Sequence, residues 1–574
     1  MSTSPTLPAE GRAGSSKSGS SGSLQRGKAC LNCRRRKMKC DGIRPTCGPC
    51  SHAGRAEDCE YADAQGRSRT QTLLDTIKRL ETRIQELENP ESTAPNVLLF
   101  DPHSTAQLQA SPGHSPTGPS SPAESSRGGP PTTIWDAEDL PPEIAFELIE
   151  IFFQNVGHVP WFLHEERFRA SAALPPGNFD RPVPALLTAV HLWGIKFADS
   201  DDLSLHAPGI LAQALSQIGH ALAGAPSHSV VQVIQAHVLL STYLYHVGRF
   251  VEGSVHTDAA AALAVHCHLH KLRSAQPTPP RATYMDPICV VLPEPRDQIE
   301  EGERINAFWV SFAQDRVWAV VLGVPTAIFD VDGVTQIDTP WPLEMEVYER
   351  GWLHPELRTS GTLKAFLNGL TTGWPWENDS TLTRLAKGSA LLERATRLAA
   401  SWRPDLPDAT GFYNDFLALD ARIEEFKTSL SPISTLSTMP VPDRQRLHAT
   451  HCIAQCASIQ LHAAFSGQNS GSRTKCLEAG LAIIRTAAAA RVTEFSFLDH
   501  GVAAMWAAVC RVLINEIITV RSLYVDPTAV QMPGREAELF AALDELQAAM
   551  AHFAPTSALM NYQLGRIQQE RIAV

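Results

Sequence analysis

Long apolar runs are missing from this 574-residue chain: the best uncharged stretch, Val317 to Phe329, is 13 residues and is interrupted by Gly323 and Pro325. A bilayer needs about 20 such residues, so no membrane partner is expected. The opening, MSTSPTLPAEGRAGSSKSGSSGS, shows no apolar leader, so a reducing compartment is expected rather than a secreted disulfide scaffold. Catalytic signatures are equally scarce. There is no G-x-S-x-G, no phosphate loop, no H-E-x-x-H and no carboxylate pair set for acid–base work, so the chain is not expected to be an enzyme. Alternating strand patterns are few and no repeat of fixed period is evident, which disfavours a sheet fold and a regular solenoid. Positive charge is short as well, with 49 Lys and Arg against 61 Asp and Glu and a formal net charge of −12.

Against that background one stretch stands apart. Six of the 12 cysteines, Cys30, Cys33, Cys40, Cys47, Cys50 and Cys59, fall within 30 residues. Between residues 26 and 44, eight positive side chains (Arg26, Lys28, Arg34, Arg35, Arg36, Lys37, Lys39 and Arg44) face one acid, Asp41. The cysteines read C-x2-C-x6-C, then x6, then C-x2-C-x8-C, an approximate duplication of a three-thiol unit. Three ligands are one too few for a tetrahedral structural zinc, and two such ions need about eight metal–sulfur bonds. Six thiolates supply that number only if two bridge both metals. The pseudo-symmetry makes Cys30 and Cys47 the natural bridges, with Cys33 and Cys40 completing one metal and Cys50 and Cys59 the other. A single four-thiol zinc with two spare cysteines, an iron–sulfur cluster and three disulfides are the alternatives.

The stretch ACLNCRRRKMKCDGIRPTCGPCSHAGRAEDC resembles the binuclear Zn2Cys6 cluster of fungal transcription factors, in all six cysteines, their spacing, and Pro45 two residues before the fourth. The resemblance implies two Zn2+, a turn at Pro45, and a short helix after each C-x2-C, the first directed at the major groove of double-stranded DNA. It also implies roles for the basic run. Lys37 donates to guanine acceptors, Arg36 contributes beside it, and Arg34, Arg35 and Lys39 hold phosphates. A basic run on a metal-stiffened helix binds a polyanion by releasing its counterions, which an acidic protein could not otherwise do. A nuclear import signal can share the same residues.

Residues 70–89, TQTLLDTIKRLETRIQELEN, space Leu73, Ile77, Leu80, Ile84 and Leu87 alternately by four and three. That is a heptad seam with Ile77 and Ile84 at a and the three leucines at d, a pattern that favours parallel dimers. One cluster reads about three base pairs, a triplet that recurs roughly every 64, so pairing two clusters supplies the specificity. Beyond it, 16 of the 22 residues from Ser111 to Thr132 are Ser, Pro or Gly, a flexible tether.

From Pro141 onward a 3.6-residue period dominates, with helical stretches around 184–198, 229–247, 250–270, 301–321, 381–402, 411–430, 443–466, 474–494, 498–524 and 534–553. The expectation is a large all-α domain, with Pro-rich segments 272–300 and 339–380 as places where two lobes would meet. LIEIFFQNVGHVPWFLHEERF, PVPALLTAVHLWGIKFA, VIQAHVLLSTYLYHVGRFVEGSVHTDAAAALAVHCHLHK and ERINAFWVSFAQDRVWAVVLGVPTAI, in that order, resemble the fungal-specific transcription factor domain, the middle homology region. His266, Cys267, His268 and His270 crowd a position where that family shows an apolar-Gly turn, and they and the set His448, Cys452, Cys456 read as helix residues before they read as metal sites. Asp315 and Arg316 read as a structural pair, and the acidic, aromatic FYNDFLALD at 412–420 as a packed helix.

The expected organisation is a small irregular binuclear zinc cluster plus a short coiled coil, then a large all-α domain, with disordered linkers. The boundaries are a disordered tail over 1–26, the Zn2Cys6 unit over 27–62, a linker over 63–69, the coiled coil over 70–89, a disordered linker over 90–139 and the all-α regulatory domain over 140–574. The expected function is a nuclear, sequence-specific regulator of RNA polymerase II genes that binds paired CGG-like triplets as a homodimer. Transcription machinery and a small-molecule effector are further candidate partners. The rival readings are a metabolite sensor centred on the helical domain and a zinc-stapled protein-interaction module that does not bind DNA.

Overall fold

The computed structural model describes residues 29–61, 78, 140–223, 229–276, 292–333, 335–370, 379–524 and 534–572. The heptad seam, apart from Lys78, lies outside the described residues, as do the expected tail and linkers. The chain divides into two compact units, Met1–Glu124 and Ser125–Val574. The first contains two one-turn helices, α1 (Leu31–Arg35) and α2 (Gly48–His52), gathered around buried cysteines.

Among the described residues, the second unit has helices as its regular elements. It begins with α3 (Pro142–Gln154), α4 (Glu165–Ala172), α5 (Pro184–Phe197), α6 (Asp201–Ser204), α7 (Ala207–Ile218), α8 (Val230–His246) and α9 (Phe250–His266). It continues with α10 (Gln298–Leu322), α11 (Met345–Glu349), α12 (Thr362–Leu367), α13 (Thr381–Ser401), α14 (Ala409–Ser429) and α15 (Val441–His462). The last four helices are α16 (Ser470–Ala490), α17 (His500–Tyr524), α18 (Arg535–Phe553) and α19 (Ala558–Ile572). Among the described residues the one extended pairing is an isolated bridge between Ser274 and Thr359.

Local chemistry sets where these helices start and stop. Asp297 caps α10 by accepting the Glu300 N–H at 3.0 Å, and Gly323, at φ +68°, ends it in the left-handed conformation glycine adopts without a steric cost. Ser380, Asp408 and Asn469 cap α13, α14 and α16 in the same manner. The two central helices, α10 and α15, are buried on nearly every face. In α10, Phe308, Trp309 and Phe312 are fully buried, each contributing roughly 1.5–3 kcal/mol of transfer free energy. Asp315 accepts the N–H groups of Ala327 and Ile328 at 2.7 and 3.1 Å, while Arg316 donates to the Ile328 carbonyl at 2.8 Å. The pair therefore staples the loop after α10 back onto that helix, the structural role expected of it.

The ten helices expected from periodicity are present, with ends shifted by at most four residues. Among the described residues no seam between lobes is seen: one continuous core runs from Leu148 to Ile567. The reason lies in residues 336–343, which pass through the interior. There Trp341 stacks on Trp309 with ring centroids 4.4 Å apart, and Pro340 accepts the indole N–H of Trp309 at 2.7 Å. Residues 412–420 form part of α14, with Phe412 and Leu419 buried, although Tyr413 and Leu417 face outward. Gly501–Ser522 of α17 is long and apolar enough to cross a membrane, yet most of it is buried in this core. It was less visible in sequence than Val317–Phe329 because Arg511, Glu516 and Arg521 interrupt it.

Helices α3 and α5 approach closely at Gly194, where an added Cβ would lie 2.4 Å from the Leu148 carbonyl oxygen. Gly194→Ala is expected to destabilise the domain by about 2 kcal/mol, read as a lower urea midpoint with an unchanged slope. An unaltered midpoint would contradict this packing.

Candidate metal centre and nucleic-acid interface

The two halves of the cysteine unit superpose in their chemistry at an offset of 17 residues, the separation of Cys30 from Cys47 and of Cys33 from Cys50. Cys30 caps α1, its Sγ accepting the Cys33 N–H at 3.3 Å. Cys47 occupies the corresponding position before α2. Each helix starts one residue after the first cysteine of its pair, so it contains the second cysteine rather than following the pair as expected. That single turn points both thiols of a pair the same way.

The helices also end alike. In α1 the Lys37 N–H reaches the Arg34 carbonyl at 3.3 Å and the Met38 N–H reaches Cys33 at 3.0 Å. In α2 the Gly54 N–H reaches Ser51 at 3.1 Å and the Arg55 N–H reaches Cys50 at 2.9 Å. This is the six-to-one, five-to-two pattern that closes a helix with one left-handed residue. Gly54 has φ +63°, and its counterpart Lys37 has φ +54°. A side chain at that φ costs about 1 kcal/mol, so the basic run is turned off the helix at a strained lysine.

Cys30, Cys33, Cys47 and Cys50 are buried, and their sulfurs all lie within 4.8 Å of one another. Sγ–Sγ separations are 3.6 Å for Cys30–Cys47 and Cys33–Cys47, and 3.8 Å for Cys30–Cys50 and Cys33–Cys50. A tetrahedral zinc with bonds of about 2.3 Å requires edges of about 3.8 Å, so these four sulfurs fit around metal and are far too open for a disulfide, but the set places Cys33 with Cys50, which the expected assignment gives to different ions. The remaining two thiols join it. Cys40 Sγ lies within 4.8 Å of Cys47 Sγ and accepts the Cys30 N–H at 3.5 Å, while Cys59 accepts the Cys47 N–H at 3.2 Å. Six inward-turned sulfurs exceed the four positions of one zinc ion and match two ions that share ligands.

Burial pushes the Cys30 thiol well above its ordinary range and Cys33 up to about 12. Burial acts the same way on Cys47, but the Cys50 N–H and neighbouring thiols outweigh it and bring Cys47 to about 6.

Three supports escaped sequence reasoning. Asp41, counted there only as the lone acid, accepts the Gly48 N–H at 2.8 Å and the Ile43 N–H at 3.2 Å, tying the first half to the start of α2. A Cβ on Gly48 would sit 2.4 Å from the Asp41 carboxylate, which accounts for the glycine. Tyr61 donates to the Ile43 carbonyl at 2.8 Å and lies under the Arg44 guanidinium. Asn32 is buried beside Cys50. An acid seven residues before a Gly-Pro helix start is the signal that could have found Asp41. Pro45 lies in the turn between the halves, following a cis peptide bond from Arg44.

Arg34, Arg35, Arg36, Lys37 and Lys39 are all exposed. None of them makes an ion pair with another described residue.

Elsewhere the structure brings no metal set together. Groups of three or more ligand atoms within 4.8 Å among the described residues occur only in the cysteine unit. His266 is exposed and bonds the Ala262 carbonyl, while Cys267 is buried. His268, at φ +56°, occupies the left-handed turn where glycine would be expected. His448 and Cys452 touch at 3.5 Å, but Cys456 instead donates to the Met505 carbonyl at 3.9 Å. Burial drives His448 down to about 3, leaving it a neutral core residue.

Residues 28–68 match the family described as the fungal Zn(2)-Cys(6) binuclear cluster domain, whose cofactor is two zinc ions, and residues 149–349 match the fungal specific transcription factor domain. The second match spans α3 through α11. Transcription factor MAR1 of Candida glabrata is 35% identical over 17% of this chain and 7% of its own. The notoamide biosynthesis cluster transcriptional coactivator notQ' of Aspergillus versicolor is 24% identical over 55% of this chain and 58% of its own. The citrinin biosynthesis transcriptional activator mrl3 of Monascus ruber is 24% identical over 55% of this chain and 64% of its own. In each of the three the match spans less than two thirds of the relative's length. No solved structure matches.

Replacing Lys37 by glycine removes the left-handed strain. Lys37→Gly is expected to retain both zinc ions and to resist chelator-driven unfolding at least as well as the wild type, with a gain of about 1 kcal/mol. Faster zinc loss would contradict this description of the helix end.

Proposed function

We propose that this chain, carrying a fungal Zn(2)-Cys(6) binuclear cluster domain and a fungal specific transcription factor domain, is a DNA-binding transcription regulator that acts in the nucleus. The observation that carries the reading is the exposed run Arg34–Lys39, without an ion pair among the described residues, mounted on a six-thiol centre in which Cys30, Cys33, Cys47 and Cys50 are buried. In this reading Cys30, Cys33, Cys40 and Cys47 hold one zinc ion. Cys47, Cys50, Cys59 and Cys30 hold the other. The ions supply charge and rigidity, not reactivity. The chain's own residues do the recognising. Lys37 at the helix end donates to guanine N7 and O6, with Arg36 beside it, and Arg34, Arg35 and Lys39 fix the register through phosphates.

One head of this size reads about three base pairs, so we extend the proposal to a homodimer on paired CGG-like triplets. The heptad Leu73, Ile77, Leu80, Ile84 and Leu87 supports that pairing. We further propose that it regulates RNA polymerase II genes; two of the relatives are named for the transcriptional activation of notoamide and citrinin biosynthesis.

Fluorescence anisotropy of the full chain on paired-CGG and scrambled duplexes at graded salt tests the reading. Affinity should fall with salt by about 0.9 log unit per log unit for each phosphate contact, and the CGG duplex should bind more tightly. A flat salt response with equal affinity for both duplexes would favour a protein-interaction module. Lys37→Ala is expected to lose about 1–3 kcal/mol of discrimination between the duplexes, while Arg34→Ala weakens both equally. Equal losses for Lys37→Ala on both duplexes would remove its base-reading role. Cys30→Ala should cost both metals, and retention of one full zinc equivalent would contradict a bridging Cys30.

A further inference from the structure

The duplication of the zinc unit is not exact. Backbone N–H groups serve three sulfurs, Cys33 donating to Cys30, Cys30 to Cys40 and Cys47 to Cys59. Cys33 and Cys50 are related by the 17-residue offset and both are buried, at 0% and 2% exposure. Their surroundings differ. The side-chain amide of Asn32 donates to Cys50 Sγ at 3.5 Å, reaching from α1 across to α2. Asn32 is 5% exposed, and its Oδ1 is buried without a partner, so the amide is held there at the expense of its own carbonyl. The residue 17 positions on is Pro49, which has no donor to return, and no N–H donor reaches Cys33 Sγ among the described residues.

A thiolate that receives an N–H is a weaker nucleophile and a firmer zinc ligand, because the donor stabilises its charge. Two zinc ions and six thiolates leave a net charge of about −2, so each donor counts toward holding the cluster. We propose that Asn32 is a positioning residue of the zinc centre, whose amide secures the Cys50 thiolate across the two halves and leaves Cys33 the more reactive of these two buried thiolates toward electrophiles and chelators. The proposal rests on the two-zinc reading of this unit. Unequal accessibility is not the cause, since both sulfurs are buried.

The test uses the zinc-loaded full chain. Native mass spectrometry first counts the metal: fewer than two ions would overturn the two-zinc reading itself. With two ions confirmed, the chain is pulsed with iodoacetamide, each thiolate sulfur displacing iodide to form a carbon–sulfur bond, and sites are quantified by peptide mapping. Cys33 should be alkylated faster than Cys50 by about five-fold, the worth of one net hydrogen bond of about 1 kcal/mol. In Asn32→Ala the two rates should converge while the rate at Cys59 stays the same. Asn32→Asp, which places a carboxylate against the thiolate, should invert the order and speed zinc transfer to a chromogenic chelator. If either variant fails to fold, the order in the wild type decides alone. Two bound ions with Cys50 labelled as fast as Cys33, or faster, would overturn the role given to Asn32.

Discussion

The gathering of cysteine sulfurs, which we propose are shared between two ions, is the constraint on which the rest depends. Four buried cysteines with sulfurs 3.6–3.8 Å apart cannot be held together as thiolates by packing alone, because like charges at that distance repel strongly in a dry interior. Divalent cations remove that repulsion. Among the described residues of the first unit, the buried apolar cluster consists of those cysteines, with Cys40, Cys59 and Tyr61 packed around them. A unit of this size without metal or disulfides lacks the core to fold. Metal binding and folding are then one event, and the orientation of Arg34–Lys39 follows from it.

The same dependence underlies the proposal that an acidic protein addresses a polyanion. The net charge of −12 is spread over 574 residues, whereas the basic run is confined to a few positions beside the metal centre. Screening over about 8 Å at physiological salt lets the local field govern close contact. Lys37 illustrates the trade between stability and function. Its counterpart Gly54 takes the left-handed turn freely, so a lysine there carries a conformational cost that a purely structural unit would have no reason to retain.

Much of this was legible in the sequence, for identifiable physical reasons. The six cysteines and their spacing encode the metal chemistry directly, because ligand type and number are properties of residues rather than of their environment. Long helices such as Gln298–Leu322 were legible because their apolar period persists over many turns. Short ones such as Asp201–Ser204 and Met345–Glu349 were not, since one turn contains too few residues to display a period. The buried passage of residues 336–343 was misread as a possible lobe boundary because its prolines resemble a linker, while what buries it is the distant Trp309. Asp41 and Asn32 were overlooked for a related reason. Their importance comes from partners in the other half of the cluster, which only three-dimensional proximity reveals.

The central claim is that two shared metal ions create the reading head. The most direct measurement withdraws zinc from the full chain in steps with a high-affinity chelator, recording bound zinc by native mass spectrometry and duplex selectivity by anisotropy on the same samples. Selective binding that disappears as the ions leave, and returns when two zinc equivalents are restored, is the predicted result. Undiminished selectivity in a chain stripped of both ions would contradict the account.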